Sequence, residues 1–161
     1  MKTLIVYYSL NGNTEQTAKT IAAELGADLL CIAPVKAYPD KGFAKFFWGG
    51  KSVTMKERPK LVPYDFRAAD YERILFGTPV WASNFAPPLR TFIEENRAAL
   101  QGKHFGAFVC MTAGGDEKTF RRLKEFLNIP ALDAELALLD PKDNPNPGNA
   151  QKIKTFCDQL R

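Results

Sequence analysis

Short apolar runs alternate with segments of helical periodicity along this chain, and no other feature narrows the possible folds as far. The runs are Thr3 to Tyr8, Ala27 to Ala33, Arg73 to Thr78, His104 to Thr112 and Leu132 to Leu139. Each has the length of a strand and is too short for a typical helix. Between the first two, Asn13 to Leu25 places Thr14, Ala18, Ile21, Ala22 and Leu25 on one helical face and stops at Gly26. Pro87 and Pro88 open another helix, with Leu89, Phe92, Ile93 and Leu100 facing inward. A third runs from about Glu117 to Leu127 with Phe120, Leu123, Phe126 and Leu127 inward. A loop stiffened by Pro141, Pro145 and Pro147 precedes the last, whose face is Ile153, Phe156, Cys157 and Leu160. Strands that are apolar on both faces and separated by helices belong in a parallel sheet covered on both sides. With right-handed crossovers, the expected architecture is a doubly wound five-stranded parallel α/β sheet of order 2-1-3-4-5. It should form a single domain over residues 1–161, a length that can bury a full core.

Several classes of function fall away on composition. No apolar run approaches the ~20 residues that span a bilayer. The chain turns polar at Ser9, too soon for a signal-peptide core, so a cytoplasmic location without a membrane partner is expected. Cys31, Cys110 and Cys157 form no C-x2-C pair, and the one histidine is His104, which leaves no ligand set for zinc. Cys31 and Cys110 lie in apolar runs and read as reduced core thiols. The net charge is +4, with Lys41, Lys45, Lys51, Lys56, Arg58 and Lys60 clustered around Glu57. A solvated face is the favoured reading of that cluster, attraction for an anionic partner the other; no nucleic-acid partner is expected. Within the long connection from Pro34 to Asp70, Phe43, Phe46, Phe47 and Trp48 precede Gly49 and Gly50. They read as a helical turn or two covering the sheet, with a dimer interface as the alternative; the oligomeric state stays open.

The strand-to-helix turn Ser9-Leu10-Asn11-Gly12-Asn13-Thr14 is the candidate ligand site. A helix N-terminus presents N–H groups without intrahelical partners and a partial positive charge, which suits an anion. Gly12 permits a positive φ and close approach. Ser9 and Thr14 add hydroxyls, Asn11 and Asn13 amides. With no Lys or Arg in the turn, a phosphate there would be held by dipoles and hydrogen bonds alone. The same residues suit a plain helix capped by Asn13. Neither G-x-G-x-x-G nor the P-loop pattern is present.

In a doubly wound sheet, ligands bind beyond the carboxyl ends of the strands at the switch point. Two further loops belong there. Pro79-Val80-Trp81-Ala82-Ser83-Asn84 carries an aromatic that can either stack on a planar ligand or pack the strand end. Thr112-Ala113-Gly114-Gly115-Asp116 has paired glycines that can bring backbone donors close to a ligand, or is an ordinary strand-to-helix loop with Asp116 as N-cap.

These three loops together resemble the flavodoxin family. Ser9 to Thr14 looks like its FMN phosphate loop, and the other two look like its isoalloxazine-flanking loops. Phe76-Gly77-Thr78-Pro79-Val80-Trp81-Ala82, followed by Pro87-Pro88, is similar to small bacterial members. The resemblance implies FMN, rather than FAD, bound non-covalently. The phosphate would lie on Ser9, Asn11, Asn13 and Thr14, the ring beside Trp81, and its pyrimidine end near Gly114 and Gly115. The hard chemistry belongs to the flavin, so no catalytic acid, base or nucleophile is named. Three departures bear on function. Asn11 stands where relatives usually have a hydroxyl residue; no aromatic occurs between Thr112 and Glu117; and the chain is basic where electron carriers are acidic. The first implies weaker phosphate binding; the last two favour an NAD(P)H-dependent reductase with a small-molecule donor and an acceptor such as a quinone, over a carrier serving a protein partner. Carriers also usually place Gly beside the Trp, in a turn that wants positive φ. With Ala82 there, moving into that turn on reduction is expected to cost about 1–2 kcal/mol, favouring two-electron chemistry.

Overall fold

Thr3–Tyr7 is buried along its whole length, as befits an interior strand of the sheet. Leu4, Val6 and Tyr8 point into one hydrophobic layer, and Ile5 and Tyr7 into the other. This is the period-2 consequence of a strand with apolar side chains on both faces. The computed structural model describes residues 1–39 and 57–161. The aromatic stretch Phe43 to Trp48, the pair Gly49 and Gly50, and Lys41, Lys45, Lys51 and Lys56 lie outside the described residues.

The elements run β1 (Thr3–Tyr7), α1 (Asn13–Leu25), β2 (Asp28–Cys31), a 3-10 turn at Ala68–Asp70, and β3 (Arg73–Trp81). They continue with β4 (Asn84–Phe85), α2 (Pro87–Glu95), α3 (Arg97–Leu100), β5 (His104–Met111), α4 (Asp116–Leu127), β6 (Glu135–Leu139) and α5 (Asn149–Gln159). The parallel strands lie in the order β2-β1-β3-β5-β6, the expected five-strand path. One strand is added: β4 turns back and pairs antiparallel with the end of β3. Among the described residues, no helix is long and apolar enough to cross a membrane.

Three local expectations change. The third strand does not stop at Thr78. Pro79, Val80 and Trp81 continue β3 until a two-residue turn reverses the chain. Pro79 is tolerated because a parallel ladder uses alternate N–H groups on either side, and the strand is leaving the sheet there. The helix opened by Pro87 ends at Glu95, and Leu100 belongs to the separate turn α3. Asn96 makes the break: its Nδ2 donates to the Phe92 carbonyl and the Tyr64 hydroxyl, both at 2.8 Å, in competition with the helical pattern. The last strand starts at Glu135, not Leu132.

Helices α1 and α5 cover one face through Ile21, Ile153 and Phe156, against Ile5, Leu75 and Phe108 of the sheet. Leu89 and Phe92 of α2 and Phe120 and Leu123 of α4 cover the other, against Ile74, Phe76 and Val109. Burying side chains of this size contributes about 1.5–3 kcal/mol each. Because α1 leaves β1 toward one face while α2 follows β3 on the other, a crevice opens where the two loops part.

Gly77 pairs with Phe108 across β3 and β5, and the ring lies over the glycine. A Cβ there would come within 2.6 Å of Phe108 Cε2. Gly77→Ala is expected to lower stability by about 1–3 kcal/mol in urea unfolding, as overpacking does. Gly77→Ala/Phe108→Leu should recover part of the loss; an unchanged midpoint for the single variant would show that the ring steps aside freely.

Candidate functional site

The loops after β1, β3, β5 and β6 enclose a cavity of about 450 Å³ at the carboxyl edge of the sheet. That volume suits a small organic ligand. Of the sequence-predicted residues, Leu10, Asn11, Asn13, Thr14, Pro79, Val80, Trp81, Ala82, Ser83, Thr112, Ala113 and Gly114 line it. Ser9, Gly12, Asn84, Gly115 and Asp116 do not, and each has a different place.

Ser9 braces the loop between β1 and α1 from within. Its Oγ accepts the N–H of Gly12 and of Glu15, each at 3.2 Å. Gly12 is the N-cap of α1, at φ 99°. Of the four N–H groups that a helix start leaves unpaired, Ser9 thus takes two. Those of Asn13 and Thr14 remain for a ligand, and the Ser9 hydroxyl still has its proton to donate.

Asn13 departs from expectation. Its Oδ1 accepts from the N–H of Lys142 at 2.8 Å and of Asp143 at 3.3 Å. Its Nδ2 donates to Asp143 Oδ2 at 2.9 Å and to Asn11 Oδ1 at 3.3 Å. All four hydrogen-bonding positions of the amide are used, so the side chain neither holds a phosphate nor caps α1. It ties the loop to residues 140–143. The expectation of a loop without a nearby cation also changes. The Lys142 stem packs on Gly12, where a Cβ would come 2.8 Å from Lys142 Cε, and its ammonium pairs with Asp143 at 2.6 Å.

The opposite wall is the turn of the β3–β4 hairpin, with Trp81 paired to Asn84 across it. Ala82 and Ser83 both have positive φ, 49° and 57°. Two successive left-handed residues match a type I′ turn, where Asn-Gly is usual. Each non-glycine residue there costs about 1–2 kcal/mol. The conformation expected to penalise Ala82 only on reduction is therefore already present, and that argument for two-electron chemistry lapses. Asn84 is buried, its Oδ1 accepting the Phe85 N–H at 2.9 Å. Trp81 is half-buried and edge-on to Tyr8 and Tyr38, with ring centroids at 5.7 Å and 5.3 Å. It both packs the strand end and faces the cavity. Burial pushes the Tyr8 hydroxyl pKa far up, so the phenol stays protonated.

The third wall begins at Met111. Thr112, Ala113 and Gly114 are exposed. Gly115, not Asp116, is the N-cap of α4. It stands behind the turn, where a Cβ would come 2.8 Å from Ser83 Oγ and 3.1 Å from Ser83 Cα.

Cys110, Met111 and Asp140 also line the cavity and were not anticipated. Burial raises the Cys110 thiol pKa, with opposing hydrogen bonds from Thr17 and Thr14, so it adds no charge at neutral pH. Asp140 accepts from the Thr112 hydroxyl at 3.4 Å, and its N–H donates to the Met111 carbonyl at 3.0 Å. The available signal was topological: β6 lies next to β5, so the loop after it must reach the same edge.

A sequence model of the family described as Flavodoxin matches residues 2–137. The chain belongs to the flavodoxin family. Similar solved structures agree. A Bacteroides eggerthii DSM 20697 protein provisionally classed as a flavoprotein is 27% identical, covers 98% of this chain and 96% of its own, and has a TM-score of 0.74. A Lactobacillus acidophilus NCFM flavoprotein in complex with FMN shares the fold at 19% identity, with 88% and 95% covered and a TM-score of 0.72. Two-electron reduced flavodoxin of Megasphaera elsdenii does so at 22% identity, with 98% and 96% covered and a TM-score of 0.59. Within the flavodoxin fold, the N-terminus of α1 and the hairpin turn after β3 form facing walls of one cavity.

Asn13→Ala removes the acceptor shared by the Lys142 and Asp143 N–H groups. It is expected to cost the apoprotein about 1–3 kcal/mol. Hydrogen exchange of those two amides should accelerate selectively; exchange at wild-type rates would show that the tether carries no weight.

Proposed function

We propose that the protein is an FMN-dependent reductase that takes hydride from a reduced nicotinamide cofactor and passes electrons to a small acceptor such as a quinone. The cofactor is FMN, as family membership supports, and the cavity's donor set fits it. Two free N–H donors at the start of α1 fit a terminal phosphate. When bound, FMN supplies the hydride and electron chemistry.

The chain's own residues bind and orient. The N–H groups of Asn13 and Thr14, the hydroxyls of Ser9 and Thr14 and the Asn11 amide would hold the phosphate. Trp81 would flank the ring, and Ala113 and Gly114 would approach its pyrimidine end. With Tyr8 protonated and Cys110 neutral, neither adds negative charge beside the ring.

The observation that carries the reductase reading is the bare outer wall. Thr112, Ala113 and Gly114 are exposed, and no aromatic side chain stands on that stretch. A planar nicotinamide or quinone needs such an open face to stack on the ring. Family membership favours a second reading, electron carriage to a protein partner. Purified protein supplied with NAD(P)H and a quinone should turn over; idle kinetics with retained electron transfer to a redox protein would put the carrier ahead.

Equilibrium titration should show FMN bound much more tightly than riboflavin, which lacks the phosphate. Thr14→Ala should weaken FMN by about 1.5–3 kcal/mol, the range for a hydrogen bond to a charged group, and leave riboflavin nearly unchanged. Equal affinities for the two flavins would remove the phosphate from this loop.

A further inference from the structure

We propose that Arg122 is a positioning residue for the flavin site, holding the Ala82–Ser83 turn in the left-handed conformation that shapes one cavity wall. The proposal rests on the FMN reading of that cavity. Its starting point is the unfavourable backbone: two adjacent residues with side chains stand at φ 49° and 57°. Such a turn persists only where its surroundings enforce it. Exposed Ala82 has little packing of its own to do so.

The enforcing contact comes from α4. Arg122 Nη1 donates to the Ser83 carbonyl at 2.9 Å and to the Ala82 carbonyl at 3.3 Å. In extended chain, successive carbonyls point to opposite sides. Bringing two in a row to one nitrogen therefore requires the turned backbone. The guanidinium is permanently charged, so these bonds are stronger than those of a neutral donor. Arg122 itself does not line the cavity, so its influence must pass through the turn.

The same helix supplies the second support. Gly115, the N-cap of α4, lets Ser83 sit where a Cβ would collide with it. Thr119 secures that N-cap, its Oγ1 donating to the Gly115 carbonyl at 2.7 Å. Helix α4 therefore controls two walls, the Thr112–Gly115 approach and the hairpin turn, and Arg122 couples them.

A double-mutant cycle tests this. Arg122→Met keeps the aliphatic stem and removes the donors. Ala82→Gly/Ser83→Gly lets the turn stand without a clamp, since glycine takes positive φ freely. In the wild-type turn, Arg122→Met should weaken FMN about tenfold, or about 1.4 kcal/mol. It should also alter the visible circular dichroism of bound flavin. In the diglycine turn the same substitution should change affinity less than about twofold, and Arg122→Lys should restore part of the loss in the wild-type turn. Equal losses in both turns, or no loss in either, would overturn the proposal. The cycle is also run on apoprotein unfolding in urea, where the same coupling is expected without flavin. A wild-type protein that fails to bind FMN yet shows the stability coupling would sink the flavin reading and keep the clamp; additive apoprotein effects would sink the clamp.

Discussion

The first turn of α1 leaves backbone N–H groups that the helix cannot satisfy, and where they go decides what the carboxyl edge of this sheet can bind. Ser9 Oγ takes those of Gly12 and Glu15, which closes the loop on itself and fixes its curvature. The two that remain point from a rigid frame instead of a mobile loop. Gly12 is required by its φ of 99°, and the flexible end of the Lys142 side chain packs against it. A larger residue would break the cap and displace the lysine together.

That frame is tied to the far end of the chain. Helix α5 packs beside α1 on one face of the sheet, so the loop leading into α5 must pass the start of α1. Asn13 meets it with a fully used amide, and Asp140 from the same loop reaches the cavity. The loop after β1 is thus held from below by its own serine and from the side by residues that follow the last strand.

The opposite wall obeys a different constraint. Its shape depends on backbone conformations that alanine and serine disfavour, held by contacts from α4. One wall is made of helix-start geometry half satisfied by Ser9, the other of strain offset by tertiary contacts. Such strain gathers at binding sites because a turn relaxed on its own terms need not fit a ligand. Between the walls the Thr112–Gly114 stretch is exposed among the described residues, the feature on which the proposed reductase reading rests.

The alternation of apolar runs with amphipathic segments was enough to determine the parallel sheet, its strand order and the edge on which the three loops meet. Those are consequences of periodicity and handedness, which are local or universal. The strand-to-helix turn after β1 was equally legible, because helix-start chemistry lies within six consecutive residues. What the sequence alone could not determine depends on pairs distant along the chain. Asn13 looked like a ligand or a cap because Lys142 and Asp143 were not yet beside it. Ala82 looked like an obstacle to a left-handed turn because nothing local announces that Arg122 and Gly115 enforce one. Asp140 was passed over because its loop becomes a neighbour of the site only when β5 and β6 pair. The tertiary structure decided these, since a side chain's free valences and a backbone's tolerable strain are settled by what packs against them.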